Sequence, residues 1–465
     1  MIFQAASICI QFKSYELKKE EMKKSVVLLL MLSSCMLSCR RNQEKQEVKE
    51  VASPYTVSVD NDSLHTETDV TPMQEQEEQL QQDVKLPYTV SLEREISRIT
   101  PAGLSEAGSR ITYVPFETSD NCLIGNIKYR KGILTFSNSH IALHDYREVF
   151  LFDLSGKFIR KIGRKGQGPG EFVSIVLDLC FSLDGNTLFL VDGREIHEYD
   201  LDGTFIGTLH YPSTSVIRMN VIDENHYAIY WANNAGMRTS SQNSFTIIDS
   251  QNNALNTFKN YHRKTINHTW EIDNRAPLYS FQGNLKFRGM SSDTLQTVTM
   301  NELLTYAVFD FGKRRMPILE LDIPSFNRAG DELYRLMANW AQQNGLGGKY
   351  YLSAVYEDMD NLYFELSDIT ENLYGYFSKH TGTAKVIGKE GFQNDLDGGL
   401  PFFPRYVYKD NVLVDMVDAF KLREHVLNSN AAEMKRKYGK NWDDLFNLAN
   451  SLEEDANQIL VVVGR

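Results

Sequence analysis

The chain has 465 residues, 42% of them hydrophobic and 24% charged, with a formal net charge of −12. That is ordinary globular composition, so the chain as a whole is neither fibrous nor disordered. The acidity argues against nucleic acid as a partner, because a phosphate backbone asks for a basic surface.

Residues 1–39 read as a targeting segment. Met1 to Glu21 carries neither a domain pattern nor a signal pattern; Met22-Lys23-Lys24 then opens a short positive region, and the apolar run Val26 to Leu32 follows. The run is too short to span a bilayer as a helix and fits a secretion signal, with Met22 as the expected true start. Leu32-Ser33-Ser34-Cys35 resembles a bacterial lipobox. Met36-Leu37-Ser38-Cys39 is a slightly poorer match that gives a more usual signal length. Acylation is therefore expected at Cys35 or Cys39, and the acyl chains would hold the protein at a membrane, each buried CH₂ contributing ~0.8 kcal/mol. Residues 40–90 are rich in Glu, Gln, Asp, Ser and Thr and poor in large apolar side chains, which predicts a flexible acidic stalk.

From about residue 95 to 465 the pattern is one of repeated β-hairpins. In Val149–Phe172 (VFLFDLSGKFIRKIGRKGQGPGEF) apolar residues alternate on both sides of a Ser155-Gly156 turn, and the second strand runs out into a Gly-rich basic loop. Ile196–His210 repeats the hairpin with Asp200 and Gly203. Phe245–Phe258 is a worn copy with Asp249 and Asn252-Asn253 at the turn, and fainter echoes begin at Tyr306 and Leu373. Short strands recurring every 40 to 50 residues indicate propeller blades of four antiparallel strands. The predicted fold is all-β, a six-bladed β-propeller with inserted helices. One insertion is expected near 326–343, where Leu333, Leu336, Met337 and Trp340 fall at helical spacing, and another near 431–452. The terminal run Ile459-Leu-Val-Val-Val463 is placed to close the ring by pairing with a blade begun at the other end of the chain.

Several clusters invite chemistry. Backbone amides of the Gly-rich loop 163–171 would suit an anion, with Arg164 and Lys165 as accessory contacts. It lacks the GxxxxGK[ST] order, and an inter-blade connection is the plainer reading. His140 and His144 are four apart, but in a strand that spacing does not converge two rings, so no metal site is expected. Asp200-Leu-Asp202-Gly203 and Asp358-Met-Asp360-Asn361 start like calcium loops without the later ligands and read as hairpin turns. Asn394, Asp395 and Asp397 precede a diglycine, and Phe402 and Phe403 follow as an expected exposed aromatic surface. This stretch is a candidate ligand-face loop at the channel mouth, for a cation, calcium at most, or a sugar ring; Asx turns are the structural alternative. Otherwise no cofactor is predicted. Cys122 and Cys180, both downstream of the signal region, are expected as buried free thiols.

The Gly163–Phe172 loop, preceded by Tyr113-Val-Pro-Phe-Glu-Thr118 and Cys122-Leu-Ile-Gly125, resembles the six-bladed β-propeller lipoproteins of Bacteroidetes. Asn394–Pro404 and Asn457–Val463 look like further stretches of that family. The resemblance spans roughly residues 95 to 465. It implies a lipid-anchored cell-envelope protein, at the outer membrane, that binds a glycan, peptide or partner protein. The alternative is a divalent-cation-dependent hydrolase or lyase with its site in the propeller channel, which would need several converging inner-strand carboxylates.

Overall fold

The structure, a computed structural model, describes residues 85–465 except 126–132, 174–175, 194, 210–215, 232–242, 260–277, 290–291, 318–330 and 369–370. Cys35 and Cys39 lie outside the described residues.

Six four-stranded antiparallel units form the predicted propeller. Blade I holds Ile133–Phe136, His140–His144, Val149–Asp153 and Phe158–Lys161, and blade II runs from Asp178–Phe181 to Phe205–Leu209. Blade III runs from Val216–Val221 to Ala254–Lys259, blade IV from Leu278–Phe281 to Leu303–Asp310, and blade V from Tyr351–Glu357 to Thr383–Gly388. The local cause is turn chemistry. In blade I the Asp153 carboxylate accepts from the Ser155 and Lys157 N–H groups at 2.8 and 3.0 Å, and Gly156 takes φ 84°. Asp200 with Gly203 (φ 81°) repeats this in blade II, and Asp249 with Asn252 (φ 67°) does so in blade III. Asn is the residue after Gly that best tolerates the left-handed region, so the missing glycine leaves the turn intact.

Blade VI is built from both ends of the chain. Its strand order is Tyr406–Tyr408, Val412–Val417, Ile459–Gly464 and then Arg110–Pro115, with Ile459–Gly464 paired to a neighbour on each side. The expected closure by the C-terminal strand is what the ring uses. The strand pattern at Ile111–Pro115, early in the ring's stretch of chain, thus belongs to the last blade rather than the first. Each seam between blades carries its own apolar cluster; between I and II, for example, Ala142 and Leu151 pack with Leu179, Leu188 and Leu190. A single blade would leave both of its faces wet, so the ring is the smallest unit that buries them.

Tyr88–Ser91, which begins inside the span 40–90 expected to be stalk, is a strand. It pairs in parallel with Leu303–Asp310 as a fifth strand of blade IV, and Val90 is fully buried. The chain then wraps the rim: the helix Glu93–Ser97 follows, the Thr100 N–H donates to Val386 O, and the Leu104 N–H donates to Gln393 O.

Alternation of strand direction puts the second-to-third and fourth-to-first connections at one end of the ring. The Gly-rich loop, the helix Asp331–Gln343 and the stretch 389–405 are fourth-to-first connections, and 418–458 is the second-to-third connection of blade VI. One end of the ring thus carries all four. Within 418–458 stand the helices Ala419–Leu427, Ala431–Tyr438 and Lys440–Ser451, the last two separated at Gly439 (φ 59°). They close over a small core of Leu422, Val426, Trp442, Leu445 and Ala449.

Candidate binding cleft

The loop read as a ligand face is a fastening. The Asp395 carboxylate accepts from the Ser105 N–H (2.9 Å) and hydroxyl (2.6 Å), pinning the rim segment to the ring. Asn394 Oδ1 accepts from the Leu396 and Asp397 N–H groups, and Asp397 Oδ1 accepts from the Gly399 N–H at 2.9 Å and the Tyr113 hydroxyl at 3.3 Å. These are Asx turns. Asn394 Oδ1, Asp397 Oδ1 and both Asp395 oxygens thus already accept from backbone and hydroxyl donors, which is a poor fit to a calcium site. Phe402 and Phe403 are 1% and 2% exposed, which corrects the expectation of an aromatic surface. The strands of blades V and VI cover them because Phe403 stacks on Tyr374, with ring centroids 4.3 Å apart, and Phe392 packs against Phe403.

The Gly-rich loop holds its own anion. The Glu171 carboxylate accepts from the Gly168 N–H at 2.8 Å and pairs with Arg164 at 2.5 Å; Lys165 is exposed on the short parallel pairing of Arg164-Lys165 with Glu171-Phe172. The Gly168 N–H, then Arg164, hold that carboxyl below its ordinary range. A Cβ on Gly166 would lie 1.8 Å from Glu171 Oε2, so the bare backbone there is what admits the carboxylate.

The remaining candidates behave as local structure. His140 and His144 stand at the two ends of one strand, opposite Asp153 and Val149. Among the described residues no three His, Cys, Asp or Glu side chains are grouped so as to hold a metal ion. Asp358 accepts from the Asp360 and Asn361 N–H groups and the Tyr363 hydroxyl, a buried turn. Cys122 is buried and Cys180 half-buried; both are free, and burial pushes both thiols up to about 12, which keeps them protonated and inert.

A cleft of about 400 Å³ opens at the seam of blades V and VI, on the end of the ring that carries the insertions. Arg405 stands in its wall with its side chain 13% exposed. Its Nη2 donates to the Tyr374 hydroxyl at 2.9 Å, and Nη1 and Nε face Glu365 (3.5 Å) and Asp415 (3.4 Å). One guanidinium thus sits among two nearly buried carboxylates. Burial raises the Asp415 carboxyl to about 6, and Arg405 pulls it back only in part. Lys389, Glu390, Asp418 and Lys421 line the mouth, where Lys421 pairs with Asp418 at 3.1 Å and Lys389 with Glu371. The arrangement offers fixed charges of both signs and no activated nucleophile; it is suited to holding a polar ligand. Of the candidate site residues named from sequence, Phe403 alone lines this cleft, with Leu400 and Pro401 beside it. Arg405 and Asp415 were missed, although an Asp inside the apolar strand Val412–Val417 and a Glu inside Asn361–Ser367 are signals of buried pairing.

The family model for "Domain of unknown function (DUF4934)" matches residues 87–464. No curated protein matches the chain. Among solved structures, a Bacteroides fragilis protein described as exported is similar over 81% of this chain and 99% of its own, with 18% identity and a TM-score of 0.58. U3-55K covers 76% of this chain and 98% of its own at 12% identity, but a TM-score of 0.36 makes that likeness too slight to argue from. The first likeness bears on fold alone; the family match covers the whole ring, from the added strand on blade IV to the closing strand of blade VI, and the chain belongs to the DUF4934 family.

Proposed function

We propose that the protein is a membrane-tethered β-propeller of the cell envelope, at the outer membrane, acting as a binding or scaffolding module for a polar ligand, whether glycan, peptide or partner protein. The observation that carries this reading is the cleft between blades V and VI, where the nearly buried Arg405 donates to the Tyr374 hydroxyl and faces two carboxylates beneath a rim of exposed Lys389 and Lys421. Rigid polar groups in a partly closed cleft give specificity without chemistry. The tether rests on the lipobox-like Leu32–Cys35 and Met36–Cys39, and envelope placement is supported by the exported description of the similar Bacteroides fragilis protein. The membrane would be engaged through acyl chains on Cys35 or Cys39.

The test is a glycan and peptide array probed with the full chain and with the K389A/K421A variant. Both lysines are exposed, so the variant keeps the fold. Binding that the double variant lowers tenfold or more supports the cleft, whereas equal binding by the two proteins sinks it. Mass spectrometry of the mature N-terminus in C35A and C39A variants tests the tether, and one of the two is expected to lose the acyl mass.

A further inference from the structure

The strand Tyr88–Ser91 sits on blade IV as an added fifth strand, with Tyr88 edge-on to Tyr306 (5.4 Å) and Val90 fully buried. Its sequence, Pro87-Tyr-Thr-Val-Ser91, occurs a second time as Pro54-Tyr-Thr-Val-Ser58. An aliphatic residue and then an acid follow each copy, Leu92-Glu93 and Val59-Asp60. The chain therefore carries a spare copy of a segment whose behaviour on a blade edge is visible.

Blade VI has an edge to receive it. Its outermost strand, Arg110–Pro115, ends the sheet. The Phe116 N–H turns inward to Gln458 O (3.1 Å), and the Glu117 N–H turns outward to Gly156 O (2.9 Å). Period-two alternation then points the N–H and C=O of Ile111 and Tyr113 outward, along an edge with no further strand among the described residues. A groove of about 430 Å³ runs beside Ser109–Tyr113. Its other wall is one face of the helix Lys440–Ser451, where Asn441, Asp444, Leu445 and Leu448 follow the i, i+3, i+4, i+7 spacing, with Leu396 beside them. An open strand edge facing a helix is the geometry that takes an extended peptide by strand addition: backbone groups supply affinity, and the helix side receives alternate side chains.

We propose that this groove takes Pro54–Ser58 of a second copy of the protein as a fifth strand on blade VI. The blade IV slot is closed to it, because Pro87–Ser91 fills that slot with no loop to close. Tyr55 and Val57 would share one face of the added strand, with the half-buried Leu396 and Leu448 giving an apolar wall of the kind Tyr88 and Val90 find on blade IV. A second copy is the occupant because acyl anchors hold copies in one leaflet at high effective concentration; to that extent the inference rests on the tether proposed above. Donor and acceptor surfaces differ, so the contact is heterologous and would build open rows.

The test is hydrogen exchange and sedimentation of the full chain over a range of concentrations, with a synthetic peptide of residues 53–60 as probe. The Ile111 and Tyr113 amides are expected to slow at least tenfold as concentration rises, and to slow likewise in dilute protein when peptide is added. The T56P/V57P variant is expected to lose the concentration dependence. Three results would overturn the proposal: no response of those amides to peptide, slowing that is already complete at the lowest concentration, or association that persists in the variant. Peptide binding in a chain that proves unacylated would defeat the tether and leave the groove standing.

Discussion

At the scale of single residues the ring depends on a few positions with no substitute. Gly156 is one: its φ is 84° and a Cβ would lie 2.3 Å from Pro115 O, where the blade I turn touches blade VI. G156A is expected to cost about 2–3 kcal/mol in urea unfolding, the sum of left-handed strain and a backbone clash. N252G in blade III, where Asn already tolerates φ 67°, should be neutral within about 0.5 kcal/mol. The pair of Lys379 and Glu357, 2.7 Å apart with side chains 7% and 0% exposed, is a different kind of position. The Tyr279 and Tyr306 hydroxyls also donate to Glu357. K379M leaves that carboxylate buried without its cation, and a loss of about 3–5 kcal/mol is expected. Asp415 makes a pH prediction. Its folded carboxyl stands at about 6 against an ordinary 3.8, so the folded state binds the proton more tightly than the unfolded chain. Its contribution is therefore most favourable at low pH and is lost as pH rises from about 4 to 6. The urea midpoint of the native protein, measured against D415N from pH 7 down to 4.5, should rise relative to the variant; a flat difference would contradict the burial argument.

At the scale of elements, legibility in the sequence followed the range of the forces. Hairpins around Asp153-x-x-Gly156 and Asp200-x-x-Gly203 could be read because the carboxylate, the amides it caps and the left-handed glycine lie within four residues. The strand Tyr88–Ser91 could not, since four residues in a polar context acquire their reason only from blade IV. V90D is expected to free that strand, detected as new protease cleavage before residue 100, while the far-ultraviolet spectrum of the ring is kept. The helix Ala419–Leu427 was unforeseen for a similar reason: its apolar Leu422 and Val426 make sense only against Trp442 and Leu445. Phe402 and Phe403 mark the opposite failure. A Pro-Phe-Phe-Pro run shortly after a diglycine reads as a loop tip, and only the fit of Phe403 onto Tyr374 puts it inside. Arg405, the centre of the cleft, immediately follows that run, yet its partners Glu365 and Asp415 come from two different blades.

At the scale of the molecule, closure decides everything else. The strand Ile459–Gly464 is paired over its full length with Val412–Val417 and with Arg110–Pro115. Removing residues 459–465 takes away both sets of hydrogen bonds and opens the seam between blades VI and I. The expected outcome is an aggregated or unfolded chain by size exclusion and circular dichroism. The amino-acid order by itself determined the blade count, the turn chemistry and the closing role of the last strand, because strand alternation and turn caps act between near neighbours. Only the tertiary structure decided which charges meet in the cleft, which aromatics are covered and which edge stays open. Those outcomes depend on contacts between blades brought together by the ring, and no local pattern encodes what a side chain meets across a seam.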